Sequence, residues 1–157
     1  MRIFRFDNSI VVPRKWLTRH QIKRYKSNTL GILHEPEEEG HFLKALGSLA
    51  ESGAYVNIGA AWGYYSLLAK KTRPEIDVFA VEAHPKMCSR IMEGSLINGV
   101  TGIFVFNSAV VGSDGLNDGP MKIKFGYGAS VRSANSPDEA DSMVVKLVDI
   151  HRLLESV

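Results

Sequence analysis

The segment that most limits how this chain can fold is a short apolar β run, Ala54–Ile58. It ends in Gly59-Ala60-Ala61-Trp62-Gly63, and a helical stretch, Tyr64–Lys71, follows at once. A strand that passes through glycines straight into a helix is half of a crossover unit, and the next apolar run supplies the other half. Val78–Val81 is continuously apolar, as expected of a strand buried on both faces of a parallel sheet, and Glu82 ends it. Pro85 then opens a second helix, with Met87, Ile91 and Leu96 expected on its inner side and Asn98-Gly99 at its end. Ile103–Phe106 makes a third strand. Strands alternating with helices imply a doubly wound α/β sheet of Rossmann-like type, with ligand at the carboxyl ends of the strands.

The flanks are read from the same cues. Upstream, Pro36 at a first helical position, Glu37, Glu38 and Glu39 in the first turn, and Phe42, Leu43, Leu46, Leu49 and Ala50 at helical spacing define a helix that Gly53 stops. The acidic run reads as a helix start. Residues 1–35 suggest short strands at Ile3, Phe4, Phe6 and Ile10–Val12, then a helix over Arg14–Lys26 with a basic, solvated face. Downstream, Asp114-Gly115 and Asp118-Gly119 signal turns, Met121–Phe125 alternates as a half-exposed antiparallel strand, and Ser130–Ser142 reads as a polar loop. Val144–Val148 is expected to pair as a further strand, and Asp149–Glu155 to form a closing helix with Ile150, Leu153 and Leu154 inward. This zone, 113–157, reads as a hairpin and helix appended to the sheet, and the whole chain as one domain.

Composition narrows the function classes. The chain has 157 residues, 45% of them hydrophobic and 23% charged, which suits one globular domain with a real core. Its formal charge of +2 gives no reason to expect nucleic acid or an anionic membrane as partner. One cysteine, Cys88, makes neither an internal disulfide nor a cysteine-based zinc site, and His20, His34, His41, His84 and His151 lack metal-ligand spacing, so no metal is expected. No stretch reaches the roughly 18 apolar residues of a spanning helix and the amino terminus has no signal-type apolar run. The expected compartment is the cytoplasm.

The chemistry sits at the glycine turn. Gly59 allows close backbone approach to a ligand, Gly63 allows the following helix to pack closely, and Glu82 ends the next strand nineteen residues after Gly63, where a carboxylate can accept both hydroxyls of a ribose. The dinucleotide fingerprint G-x-G-x-x-G is not met, because its third position is Ala61 and its sixth is Tyr65, which disfavours nicotinamide cofactors.

Four blocks in order carry a more specific resemblance: Tyr55–Leu67, Val81-Glu-Ala-His-Pro85, Leu96-Ile-Asn-Gly99 and Asn107–Gly112. They resemble the FkbM-type S-adenosylmethionine-dependent methyltransferases over roughly residues 36–155. The resemblance implies a class I methyltransferase core that is incomplete on its carboxyl-terminal side, with S-adenosylmethionine as cofactor and a sugar or small-metabolite hydroxyl as methyl acceptor. It also implies that Asn57, Gly59, Ala60, Ala61 and Gly63, with Tyr64 behind them, hold the methionine part, that Glu82 holds the ribose, and that Ala83, Asn107 and Ser108 border the adenine. His84 reads as a loop residue shaping that site. The chain departs from the family where an aspartate is usual and Asn57 stands, which removes charge assistance from a hydrogen bond to the ligand's ammonium. Ala61 replaces the family's usual asparagine, and Trp62 reads as a core residue. No catalytic base is identifiable. Open strand edges and faces are expected to drive association with a second copy or a completing partner chain. The alternative reading is a shortened, non-catalytic relative that acts as a cofactor-binding subunit or interaction module.

Overall fold

The computed structural model describes residues 1–113, 121–124, 131–133 and 142–155. Two short antiparallel strands, β1 (Ile3–Arg5) and β2 (Val11–Pro13), open the chain, and Phe4 pairs with Val12. The expected single helix over Arg14–Lys26 is broken in two. Arg14–Trp16 is a 3-10 turn, Leu17 is extended, and α1 runs from Arg19 to Lys26. The break has a local cause: Thr18 caps α1 reciprocally, its hydroxyl accepting from Gln21 N while its own N–H donates to Gln21 Oε1.

Next come α2 (Pro36–Gly47), β3 (Ala54–Ile58), α3 (Tyr64–Thr72), β4 (Asp77–Val81), α4 (Pro85–Asn98) and β5 (Ile103–Phe106). α2 ends at Gly47, so Leu49 and Ala50 lie beyond it rather than on its inner face. The three strands form a parallel sheet in the order β3-β4-β5, with Asn57 beside Ala80 and Ala80 beside Val105. The α/β architecture and its parallel sheet are those expected of the strand and helix alternation.

One face of this sheet carries Tyr55, Val78, Ala80, Ile103 and Val105 and is packed by residues of the helices, among them Leu46 of α2, Ala69 of α3 and Ile91 of α4. The inner side of α4 runs through Cys88, Ile91 and Gly94, and Leu96, expected there, is 83% exposed. Gly94 sits against Leu67 and Trp16, so a small residue serves the inner side of α4 there. On the opposite face, alternation along the strands brings Ile58, Phe79, Phe104 and Phe106 together. Phe79 stacks on Phe104 at 5.2 Å. Ile58, Phe104 and Phe106 are 49%, 48% and 38% exposed and Phe79 is half-buried, so this part of the face is open to solvent, whereas Val81 between Ile58 and Phe106 is buried.

The largest core cluster lies between the amino-terminal zone and α3: Phe4, Phe6, Ile10, Val12, Trp16, Leu17, Ile22 and Tyr25 pack with Trp62, Tyr64, Leu67 and Leu68. Residues 1–35 are therefore built into the fold. Asn98 at the end of α4 ties the zone down further, since its amide accepts from Val11 N (2.9 Å) and donates to Val11 O (2.7 Å).

Beyond β5, β6 (Ala109–Val111) pairs in parallel with β10 (Leu147–Asp149). The expected Val144–Val148 strand is divided at Lys146 into β9 (Ser142–Val145) and β10. β7 (Met121–Lys124) pairs antiparallel with β9, the expected hairpin, and also with β8 (Val131–Ser133), which falls in the segment read as loop. The turn signals at Asp114-Gly115 and Asp118-Gly119, Phe125 and most of the Ser130–Ser142 loop lie outside the described residues. α5 (Ile150–Glu155) buries Leu153 but leaves Leu154 exposed, contrary to expectation. Among the described residues no helix is long and apolar enough to cross a membrane.

Candidate functional site

The site is assembled where β3 and β4 end side by side. The N–H groups of Gly59 and Ala60 both donate to Val81 O, at 2.8 and 3.1 Å, and this fixes the start of the turn against the end of β4. Three residues of the turn take left-handed backbone angles: Gly59 (φ +71°), Ala61 (φ +49°) and Gly63 (φ +86°). Only glycine takes that region without cost, so Ala61 is a strained position. Around Gly59 a Cβ would meet nothing within 4 Å, which leaves room for a ligand, whereas at Gly63 it would come within 2.9 Å of Ile91 Cγ1. Gly63 thus serves the close approach of α3 to α4, a helix neighbour rather than the strand.

Glu82 reaches back onto the turn. Its Oε2 accepts from Ala61 N at 2.8 Å and its Oε1 from His84 N at 2.7 Å. Each oxygen retains a second lone pair that can accept a ligand hydroxyl. Asn107 braces the same corner, donating from Nδ2 to Glu82 O (3.0 Å) and Ala83 O (2.8 Å), and Ser108 N donates to Glu82 O (3.2 Å). The structure thus brings Ala61, Glu82, Ala83, Asn107 and Ser108 into one corner. His84 does more than shape a loop: it is the N-cap of α4, its Nδ1 accepting from Lys86 N.

A cavity of about 190 Å³ opens beside the turn, lined by Asn57 and residues 59–62, by Tyr64 and Tyr65 at the start of α3, and by His34 and Glu35 from the chain ahead of α2. Glu82, Ala83, Asn107 and Ser108 are not among its walls. Asn57 donates from Nδ2 to Ser66 Oγ (2.9 Å). Trp62, read from the sequence as core, is buried among aromatic rings, stacked on Phe6 at 6.3 Å, and also forms part of the wall.

His34 and Glu35 had no motif to announce them. Both are held by a buried carboxylate, Glu39, which the sequence presents as one more charge in a helix's first turn. Glu39 is only 3% exposed. Its Oε1 accepts from His34 N (2.7 Å), Glu35 N (3.2 Å) and Tyr64 Oη (2.7 Å), and its Oε2 from Asn8 Nδ2 (2.9 Å). A buried carboxylate surrounded by four donors is satisfied, and here it ties residue 8, the 34–35 segment and α3 together.

Electrostatics follow from this packing. Burial pushes the Tyr64 and Tyr65 phenols well above their ordinary value, and Glu39 and Glu35 respectively push the same way, so both remain neutral donors. Tyr65 Oη donates to Glu35 Oε2 at 3.2 Å. The His34 ring is bonded through Nδ1 to Tyr25 Oη (2.7 Å), and burial holds it below its ordinary value against the opposing pull of Glu35. Among the described residues the cavity wall therefore holds one carboxylate, neutral phenols and rings, and no lysine or arginine. Among the described residues no group of three histidine, cysteine, aspartate or glutamate side chains is placed to hold a metal ion.

No family model matches the chain, and no curated protein matches it either. Among solved structures, the chain is similar to precorrin-6y C5,15-methyltransferase from Geobacter metallireducens GS-15. Identity there is 20% and the TM-score 0.43, over 52% of this chain and 42% of that one. It is also similar to a SAM-dependent methyltransferase from Agrobacterium tumefaciens, at 20% identity and a TM-score of 0.42, over 48% of this chain and 25% of that one. The chain thus spans less than half the length of either protein.

Proposed function

We propose that this chain is an S-adenosylmethionine-dependent methyltransferase of the FkbM type that methylates a hydroxyl of a sugar or small metabolite in the cytoplasm. The observation that carries the reading is the carboxylate of Glu82, which ends β4 and is hydrogen-bonded onto Ala61 of the turn that ends β3. At the carboxyl ends of adjacent parallel strands, such a carboxylate is placed to receive a ribose diol. The residues fit the cofactor in two further respects. The open approach at Gly59 admits a ligand against the backbone, and among the described residues the cavity beyond it is walled without lysine or arginine, which suits the ligand's sulfonium and ammonium.

When bound, S-adenosylmethionine would supply an activated methyl group on a sulfonium. The protein's part is then to bind and orient: Glu82 the ribose, Ala83, Asn107 and Ser108 the base, and Asn57 with the turn through Gly63 the amino-acid end. Transfer needs the acceptor oxygen in line with the methyl carbon, so positioning supplies most of the acceleration. Glu82→Gln tests the reading. The amide oxygen keeps one backbone acceptor, for Ala61 N or His84 N, while its NH2 loses the other and the charge is gone. Affinity for S-adenosylhomocysteine should therefore fall by about 1.5–3 kcal/mol, the range for hydrogen bonds to charged groups, with the melting temperature a few degrees lower and the fold retained. Unchanged affinity removes Glu82 from the site.

A second reading, a non-catalytic cofactor-binding subunit or interaction module, is favoured by the open apolar face at Ile58, Phe79, Phe104 and Phe106. Contiguous exposed apolar surface of this kind is covered by association in most proteins, and a second copy of the chain is its simplest occupant. Light scattering behind size exclusion should then give a dimer that Phe104→Asp dissociates. A monomer at high concentration defeats it.

A further inference from the structure

Among the described residues the cavity beside the glycine turn has a single carboxylate on its wall, and that carboxylate does not come from the strand that bears the turn. At the end of β3 the polar residue is neutral Asn57, whose Nδ2 is engaged by Ser66 Oγ. The charge stands across the sequence, at Glu35 ahead of α2, brought to the same cavity by the packing of the amino-terminal zone. We propose that Glu35 supplies the negative charge that holds the ammonium of the bound ligand's amino-acid end, the charge residue 57 lacks. This inference rests on the S-adenosylmethionine reading above and assigns the recognition of its ammonium.

Size, placement and surroundings support it. A cavity of about 190 Å³ is below the roughly 300–1,000 Å³ that enclose a whole drug-sized ligand, yet suits an amino-acid tail, with the nucleoside lying past the turn towards Glu82. Glu35 is held in place: its N–H donates to Glu39 Oε1 and its Oε2 accepts from Tyr65 Oη. Its Oε1 accepts no hydrogen bond from the described residues, and its side chain is 41% exposed, so one anionic oxygen is open to a ligand. Glu35 Oε1 and the Asn57 carbonyl offer acceptors for two of an ammonium's three donors. The Trp62 and Tyr65 rings in the same wall favour a cation, and His34, kept neutral by burial, does not oppose one.

The test is calorimetric titration of wild type and Glu35→Gln with two ligands, S-adenosylmethionine and methylthioadenosine, the latter having the nucleoside but no amino-acid tail. Glu35 makes no side-chain capping bond to α2, so the amide leaves the helix start intact, and a melting curve verifies it. Glu35→Gln should bind S-adenosylmethionine about ten- to a hundredfold more weakly and methylthioadenosine as wild type does. Asn57→Asp, added to Glu35→Gln, should recover most of the loss by restoring a carboxylate to the same cavity. Equal affinity of wild type and Glu35→Gln for S-adenosylmethionine overturns the assignment and leaves the functional reading standing, as does an equal loss for both ligands. Failure of wild type to bind either ligand overturns the functional reading and the assignment together.

Discussion

Replacing Glu39 tests how far the amino-terminal zone is built into the site. Glu39→Ala removes the acceptor of four donors: the N–H groups of His34 and Glu35, Tyr64 Oη and Asn8 Nδ2. Orphaning a buried donor costs about 1–3 kcal/mol. Asn8 Nδ2 and His34 N keep Tyr64 Oη as an acceptor, at 2.6 and 3.4 Å. The orphaned donors are then the buried Tyr64 hydroxyl, at about 2–3 kcal/mol, and the part-exposed Glu35 N–H, at about 1 kcal/mol, a sum of about 3–4 kcal/mol. Glu39→Gln keeps the shape and a carbonyl for the three donors on Oε1. It loses charge assistance and one bond, about 1–2 kcal/mol. For a domain of this length each kcal/mol lowers the melting temperature by about 2–4 °C. Thermal and urea unfolding followed by circular dichroism should therefore order the variants wild type, Gln, Ala. Glu37→Ala and Glu38→Ala, at exposed positions of the same first turn, should stay within about 1 kcal/mol, the reach of the helix dipole. A Glu39→Ala protein as stable as those two refutes the buried network.

Three other outcomes follow from the same geometry. Gly63→Ala forces a Cβ into left-handed backbone and to within 2.9 Å of Ile91, and should cost about 2–4 kcal/mol by urea unfolding. Ala61→Gly relieves strain at φ +49° and should raise stability by about 0.5–1 kcal/mol after the unfolded chain's extra freedom is counted, and a destabilised variant contradicts it. For His34, burial lowers the folded-state pKa, so below its ordinary value of 6.5 the unfolded chain binds the extra proton. Its contribution is present above that pH and is lost as pH falls through the folded value, with a slope of at most about 1.4 kcal/mol per pH unit. Urea midpoints from pH 7.5 to 5 should fall more steeply for wild type than for His34→Phe, and parallel curves contradict it.

How much could be read in advance depended on the range of the interactions. The succession of β3, the glycine turn, α3, β4 with Glu82, α4 and β5 was legible, because alternating apolar runs, glycines and helix-opening prolines are local signals. Glu39 was not, since nothing in Pro36-Glu-Glu-Glu39 marks which acid turns inward, and the donors that draw it in come from Asn8, His34 and Tyr64. Glu35 and His34 enter the cavity for the same long-range reason, through the packing of Phe6 and Tyr25 against Trp62 and Tyr64. Leu96 and Leu154 were assigned inward on apolarity alone. Along α4 the inner stripe instead passes through Gly94 and ends at Asn98, whose amide pairs with Val11, so small and polar residues do the packing there. β8 was hidden because three paired residues inside a polar stretch show no periodicity.

The central claim is that the corner between Ala61 and Glu82, with the cavity beside it, is a site for an adenosyl ligand. Isothermal titration of the folded wild-type chain with S-adenosylmethionine, S-adenosylhomocysteine and NAD tests it most directly. The account predicts saturable binding of both adenosyl ligands and none of NAD. A folded sample that binds neither adenosyl ligand, or that prefers NAD, contradicts it.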